Sequence, residues 1–314
     1  MLQRKPIIWF IVISFTLAWI LFLLPLAAGA PGTITRQTTT LVCWTAAMWA
    51  PGIAALIVMR YVMKKPLRTI GLRRLGEKRA YLWAWLLPIG LTIATGILTF
   101  VFKPGGLDMS FPAFRQAMAA APGGSAVPTG MIVAIQIAFS ITLAPLLNTV
   151  FALGEELGWR GFLLPSLLPL GQWRAILLSG VIWGIWHAPA ILQGHNYPSQ
   201  PVLGALMMLV FTVLMGAILS WLYLRTGSPW APALGHGTLN AVAGLPVLFF
   251  TGIDTTYTGT LVSPAGWIPS IIFVGWLALT RRLPVAEPHG WATDQVETAS
   301  DAEMLSPDPI EQGQ

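Results

Sequence analysis

The sequence predicts an all-α polytopic membrane protein, a bundle of about eight transmembrane helices. Hydrophobic residues make up 55% of the 314-residue chain and charged residues only 10%, and the mean hydropathy is +0.69. A soluble domain of this size could not bury so much apolar surface. Apolar runs of roughly 17 to 25 residues, the length of a helix that crosses a bilayer, recur along the chain. They cover residues 7–28, 40–62, 81–102, 131–153, 173–192, 201–224, 230–250 and 265–280.

The first apolar run follows Arg4 and Lys5 and resembles the start of a secretory signal peptide. Its apolar stretch is longer than the roughly 7 to 15 residues of a signal core, so we expect a retained helix. The second run contains Cys43, the only cysteine of the chain. A single thiol forms no internal disulfide, so the cysteine content says nothing about the redox compartment.

The formal net charge of +6 reflects where Lys and Arg lie relative to these runs. With a cytoplasmic N-terminus, eight spans place fifteen of the 18 Lys and Arg on the cytoplasmic side. Arg36, Lys103 and Arg115 fall on the other side, and this asymmetry is the one that the positive-inside rule describes. We therefore expect an integral membrane protein with both termini in the cytoplasm and basic loops against anionic membrane lipids. Nucleic acid is not an expected partner.

Residues 1–282 form one predicted transmembrane helical domain, because no repeat of about 20 to 50 residues divides them. Beyond residue 282, acidic residues stand among Pro, Ser, Thr and Gln with few large apolar side chains. Such a segment cannot bury enough surface to offset its ordering entropy. We expect residues 283–314 to be a disordered acidic tail in the cytoplasm.

A cluster of charges interrupts the apolar sequence at Gly154-Glu155-Glu156-Leu157-Gly158-Trp159-Arg160. A charge in hydrocarbon costs about 2.5 to 3.5 kcal/mol on insertion scales, so such groups usually pair or serve a function. On a helix, Glu156 and Arg160 at i and i+4 share one face and can pair, whereas Glu155 points elsewhere and has no local partner. A purely structural interpretation is that the cluster anchors a helix end at the membrane interface.

Two later runs carry histidines. His187 follows Gly180 and Gly184, small residues that let another helix approach, and alone it could be a packed histidine bonded to a neighbour. His236 and Asn240 lie at i and i+4, so imidazole and carboxamide share a helix face in a Gly-rich segment. Irregular backbone at membrane depth is tolerated where it meets protein or a water-filled cavity. These two polar groups therefore predict a shared partner inside the bundle.

One carboxylate, two imidazoles and one amide on three separate runs could hold and deprotonate a water molecule. Glu155 would be the general base and His187 its orienting partner, while His236 and Asn240 would stabilise the oxyanion of a tetrahedral intermediate. At about 1.5 Å per residue, however, His187 lies roughly 20 Å inside its run and Glu155 near the inner surface. The groups meet only if the glutamate helix sits deeper or the fifth run begins later.

Three ordered motifs resemble those of the CPBP intramembrane protease family, which includes Rce1-type CAAX prenyl endopeptidases and bacteriocin self-immunity (Abi) proteins. The motifs are Glu155-Glu156-x-x-x-Arg160, Trp183-x-x-x-His187 and His236-x-x-x-Asn240. The similarity covers about residues 130–250, where it implies a protease-like core. It further implies an eight-helix fold, a site that opens to the cytoplasmic side, and a bacterial plasma membrane as the location.

The resemblance also implies roles for single residues. Glu155 and His187 would activate water, and His236 with Asn240 would serve the oxyanion, with support from Glu156 and Arg160. One departure from the family pattern is Trp183, where the family more often has Phe. We expect that change to alter packing beneath His187 more than chemistry.

A metal is the open point of the predicted site. Glu155, His187 and His236 form a recognised zinc set with one position left for water, and the family is commonly labelled metalloprotease. The usual His-Glu-x-x-His signature of zinc proteases is absent from the sequence. Water activated by glutamate without a metal uses the same residues, and we prefer that mechanism while a divalent metal such as zinc stays open.

The leading functional hypothesis is an intramembrane endopeptidase that cuts a membrane-associated or prenylated CAAX-type substrate, a peptide or lipidated protein, near the cytoplasmic side. One alternative is a proton-coupled transporter in which Glu155, His187 and His236 form a relay. Paired interrupted helices in corresponding halves of the chain, expected of inverted-repeat transporters, are not evident. Another alternative is a non-catalytic immunity protein that binds a peptide. The sequence carries no signal for the oligomeric state.

Overall fold

The computed structural model describes residues 2–111, 114–115 and 128–286. Over these ranges the regular elements are helical, and extended residues pair only at an isolated bridge between Leu107 and Phe250. This confirms the predicted all-α fold. The α-helices are α1 Arg4–Leu23, α2 Ile34–Ala47, α3 Ala50–Ile57, α4 Lys78–Phe102, α5 Thr129–Ile141, α6 Leu143–Gly158, α7 Leu164–Leu167, α8 Gln172–Trp186, α9 Ala188–Leu192, α10 Pro201–Thr226, α11 Trp230–Val242 and α12 Pro264–Leu279.

Several helical stretches have the length and hydropathy of membrane spans. In the described part of the chain, four stretches are long and apolar enough to cross a membrane on their own. Helix α5 meets this criterion together with Leu143–Leu170, and the two helices are bent by 47° relative to each other. Helix α12 is apolar but only 16 residues long. A polytopic membrane protein is therefore confirmed, while the number of eight spans stays a prediction. The four single stretches are Arg4–Ala27, Ile34–Val62, Lys78–Phe102 and Pro201–Thr226.

The glutamate helix continues well beyond residue 153, where its apolar run ends. After α6 the chain passes through a π-helical turn, Trp159–Leu163, then α7, and then a 3-10 turn that ends at Leu170. The charges of the 154–160 cluster therefore lie in the middle of a helical segment and not at its end. This placement resolves the conflict in depth, because Glu155 is carried into the bundle.

Glycines allow two neighbouring helices to close over α6. A Cβ atom on Gly158 would lie 2.4 Å from the Pro51 side chain of α3. A Cβ atom on Gly237 of α11 would lie 2.6 Å from the backbone nitrogen of Thr149 in α6. Contacts this short leave no room for a side chain, so α3 and α11 approach α6 to backbone distance and bury its C-terminal half.

The first helix is part of the same core. The Phe10 ring packs edge-on against Trp159, with ring centroids 5.6 Å apart, and is tilted by 32° against Phe162 at 4.9 Å. Phe10 is fully buried by these contacts. These contacts join α1 to the segment that follows α6.

One end of the bundle gathers most of the positive charge, and we call it the basic end. It consists of the start of α1 and residues 60–79, 171–174, 225–230 and 280–286. Arg225 pairs with Glu77 at 2.5 Å, which joins the end of α10 to the start of α4. The Gln172 side chain exchanges two hydrogen bonds with the backbone of Val285, at 2.8 Å each. Of the predicted tail, residues 287–314 lie outside the described residues.

The opposite end of the bundle, which we call the far end, consists of residues 28–37, 102–111, 193–201 and 243–264. The bridge between Leu107 and Phe250 joins two of these loops. The Tyr197 hydroxyl donates to the carbonyl of Val262 at 2.7 Å and joins a third loop, residues 193–201, to residues 243–264. Three of the four loops of the far end are therefore fixed to one another.

Candidate active site

Glu155 is held by two indole groups. The carboxylate is 2% exposed and lies in α6. Its Oε2 atom accepts hydrogen bonds from Nε1 of Trp159 at 3.2 Å and from Nε1 of Trp183 at 2.7 Å. Both donors use the same oxygen, so Oε1 is left for another partner. This arrangement fixes the carboxylate and presents one oxygen for chemistry.

Glu156 belongs to a separate buried network. Its Oε1 accepts a hydrogen bond from the guanidinium of Arg160 at 2.8 Å, as the i and i+4 spacing predicts. The same oxygen pairs with Nδ1 of His236 at 2.9 Å. Glu156 is 0% exposed and Arg160 is 1% exposed. The network therefore links the glutamate helix to α11 and orients the His236 ring.

Arg160 also packs over the ring of Trp183, with 4.5 Å from its guanidinium carbon to the ring centroid. A cation over an indole face is attracted by the ring quadrupole, most strongly when water is excluded. The Trp183 ring contacts His236 as well, with centroids 5.3 Å apart. The Trp183 side chain thus contacts both the Glu155 carboxylate and the network of Glu156.

His187 lies at the junction between α8 and α9. Its Nδ1 is 2.8 Å from the carbonyl oxygen of Trp183. Since a carbonyl only accepts, Nδ1 carries the hydrogen, and Nε2 is the free ring nitrogen of the neutral imidazole. The ring packs against Trp186 at 4.8 Å and Trp183 at 5.7 Å between centroids. His187 is therefore oriented by its backbone contact, with one nitrogen available.

A cavity of about 840 Å³ brings the predicted catalytic residues together. Glu155, His187, His236 and Asn240 all line it, and they come from α6, the α8–α9 junction and α11. Asn240 is exposed to this space, while His236 is 4% exposed. The four side chains therefore line one cavity, as the water-activation hypothesis requires, and this cavity is large enough for water and for a short peptide segment.

The cavity opens at the far end of the bundle. Pro31, Gly32 and Gln37 are exposed and line its mouth, together with residues of the 193–196 loop. Toward the basic end, Phe162 and Leu163 are fully buried and separate the site from that surface. The predicted cytoplasmic termini and the predicted cytoplasmic opening are therefore incompatible, because the termini and the mouth lie at opposite ends.

The three potential zinc ligands do not form a metal-binding group in this arrangement. Within the residues that the structure describes, no cluster of three His, Cys, Asp or Glu could hold a metal ion. The donor set does not fit a metal as it stands, so no step of the mechanism below passes through one.

Sequence reasoning missed the two indole donors. Trp159 is four residues after Glu155, so its place on the same helix face could have been noticed from spacing. Trp183 was expected to alter packing more than chemistry, yet its indole donates a hydrogen bond directly to Glu155. A Phe at this position could not do so. Sequence reasoning also missed His195, which lines the cavity near its mouth but belongs to no motif in the sequence.

Comparisons with known proteins point to one family over the part of the chain that holds these residues. Residues 131–242 match the model for type II CAAX prenyl endopeptidase Rce1-like proteins. CAAX prenyl protease 2 of Methanococcus maripaludis is 32% identical over 94 residues, which are 28% of this chain and 35% of that protein. The chain thus spans about a third of the length of the curated relative it matches. The resemblance predicted from the three motifs is confirmed: over residues 131–242 this chain is similar to the Rce1-like CAAX prenyl endopeptidases.

Proposed function

We propose that this protein is an intramembrane endopeptidase that hydrolyses a peptide bond of a membrane-associated substrate, including a lipidated one. The observation that carries the proposal is the meeting of Glu155, His187, His236 and Asn240 in one cavity of about 840 Å³. Packing alone does not require four polar side chains from three segments to face one space within a membrane domain. The match to Rce1-like endopeptidases over residues 131–242 supports the same activity.

The first step is the activation of water by Glu155 and His187. The free Oε1 of Glu155 takes one proton from the water, and Nε2 of His187 accepts the hydrogen bond of the other. The hydroxide so formed attacks the carbonyl carbon of the scissile bond. Because two indoles hold Oε2 of Glu155, the base does not rotate away from the water.

The second step is stabilisation of the oxyanion by His236 and Asn240. With Nδ1 of His236 turned to the Glu156 carboxylate, a hydrogen on Nε2 points into the cavity when the ring is protonated. The carboxamide of Asn240 supplies a further N–H donor. Collapse of the intermediate breaks the C–N bond, and the proton on Glu155 passes to the leaving amine. Atoms and charges balance without a metal, and metal independence is part of the proposal.

The test uses purified protein in detergent with internally quenched peptides, one farnesylated and one not. Glu155→Gln and His187→Ala should each lower the cleavage rate by about 100-fold or more, the range of general acid–base catalysis. The control is Glu77→Gln, because Glu77 lies at the basic end, far from the cavity, and should cleave as wild type.

Cleavage that survives either active-site change would refute the mechanism. Peptide binding without turnover by the wild-type protein would instead favour a non-catalytic immunity protein. Proton flux in liposomes that needs Glu155 and His187 would favour a transporter.

A further inference from the structure

We infer that the cavity opens on the non-cytoplasmic side of the membrane, so that the substrates are peptide segments exposed on that side. That these segments are substrates rests on the proposed function, whereas the orientation of the cavity has separate evidence. It combines two observations about the ends of the bundle: where the positive charges lie, and where the mouth lies.

The positive charges are strongly segregated between the two ends. The basic end carries Arg225 and a loop, residues 60–79, that alone holds many of the Lys and Arg. The far end has Arg36 and Lys103, and Arg115 is bonded to Ser110 at its edge. Lys and Arg in short loops are retained in the cytoplasm during insertion, so the basic end is the cytoplasmic one.

The mouth lies at the other end. Gln37 and Thr40, on the first turns of α2, face the cavity, and α2 starts at the far end. Asn196, in the loop between α9 and α10, also lines it. From there the cavity runs inward to Glu155 and His236. A peptide can therefore reach the site from the far end.

The route from the basic end is blocked. Phe162, Leu163 and Leu164, which follow the glutamate helix toward the basic end, are each 0% exposed. Ile70 of the basic end is 1% exposed and packs against Gly161 of the same segment. The pair formed by Glu156 and Arg160 lies behind this layer and is itself buried. A cytoplasmic C-terminus would have to displace this packed layer to reach Glu155.

The walls of the cavity fit an extended peptide with apolar side chains. Trp44, Met208, Phe211 and Leu239 provide apolar surface along it. Arg36, which is partly exposed at the mouth, donates to the carbonyl of Gly29 and provides the positive charge there. The substrate class is thus a peptide of an exported or membrane-anchored protein on the non-cytoplasmic face, with apolar residues near the cleaved bond.

The orientation can be measured by cysteine labelling, independently of activity. Cys43→Ser removes the only native thiol, and Gln37→Cys or Leu75→Cys then places one at the mouth or at the basic end. Both positions are exposed. Right-side-out vesicles from a bacterial host are treated with a membrane-impermeant maleimide, and only protein that elutes as a folded species after solubilisation is counted.

Gln37→Cys should be labelled in sealed vesicles, and Leu75→Cys only after permeabilisation. The reverse pattern would overturn the inference. Equal labelling of both positions in sealed vesicles would also overturn it, because the chain would then insert in both directions.

A second measurement separates this inference from the proposed function. The quenched peptide is added outside right-side-out or inside-out vesicles, and cleavage is expected only with the right-side-out ones. If detergent-solubilised protein cleaves but only inside-out vesicles do so in the membrane, the orientation is wrong and the endopeptidase stands. If no preparation cleaves, the endopeptidase is wrong, and the labelling pattern still decides which side the cavity faces.

Discussion

The Glu156→Gln substitution tests whether the buried charge network holds the site together. The change keeps the size of the side chain and an oxygen that can accept a hydrogen bond, but it removes the negative charge. Arg160 would then be a guanidinium that is 1% exposed and no longer bonded to a carboxylate. Removing one partner of a buried ion pair costs about 3 to 5 kcal/mol, because the other charge is left uncompensated.

The chain supplies a matched control in the pair of Glu77 and Arg225. Its N–O distance is 2.5 Å, against 2.8 Å for Glu156 and Arg160, so both pairs are in contact. The side chains of Arg225 and Glu77 are 23% and 34% exposed, however, and water and salt screen the pair. An exposed pair contributes about 0 to 1 kcal/mol, so Glu77→Gln should cost at most that much.

The assay is unfolding in mixed micelles by titration with a denaturing detergent, followed by tryptophan fluorescence. We expect Glu156→Gln to lower the free energy of unfolding by at least about 2 kcal/mol more than Glu77→Gln does. Adding Arg160→Met to Glu156→Gln should recover part of the loss, because the uncompensated charge is then gone. Equal costs for the two glutamine variants, or no recovery in the double variant, would refute the reasoning.

Three further predictions follow from the geometry. Trp183→Phe removes a hydrogen-bond donor from Glu155. Since a misplacement of a catalytic group by about 1 Å can lower the rate about 100-fold, kcat in the quenched-peptide assay should fall roughly 10- to 100-fold. The KM should change little. Trp221→Phe should keep the wild-type kcat, because that indole N–H has no hydrogen-bond partner among the described residues and Trp221 does not line the cavity. Gly158→Ala should destabilise the fold by about 1 to 3 kcal/mol through overpacking in the detergent titration. Gly90→Ala, whose added methyl group meets open space in α4, should instead stabilise the fold by roughly 0.5 to 1 kcal/mol in that titration. A zinc chelator should leave kcat unchanged, and a loss of activity that added zinc restores would show that the metal-free mechanism is wrong.

Local spacing was enough to predict the relations within one helix. The i and i+4 rule paired Glu156 with Arg160 and separated Glu155 from both, and the structure has that pattern. The same rule placed His236 and Asn240 on one face, and both line the cavity. These features depend only on the rotation of about 100° per residue along a helix, so a single sequence is enough to predict them.

Relations between helices could not be predicted from spacing. The hydropathy run ends at residue 153 because two carboxylates interrupt it, although the helix continues and the carboxylates are buried by partners far along the chain. The donation from Trp183 to Glu155 spans 28 residues and depends on how α8 packs against α6. The side on which the cavity opens depends likewise on which loops surround it, and here the resemblance implied a different side from the one that the charge pattern indicates.

The break at Met48 and Trp49 divides one membrane span into two helices with different tasks. Helix α3 is locked to the glutamate helix at backbone distance, while α2 packs against α1 and turns its other face to the cavity. If the protein is the proposed endopeptidase, amino-acid changes along that face of α2, at Gln37, Leu41 and Trp44, would alter which peptide side chains are accommodated without displacing Glu155. Selectivity and reactivity would then be encoded in separate stretches of sequence, and a change in one would leave the other in place.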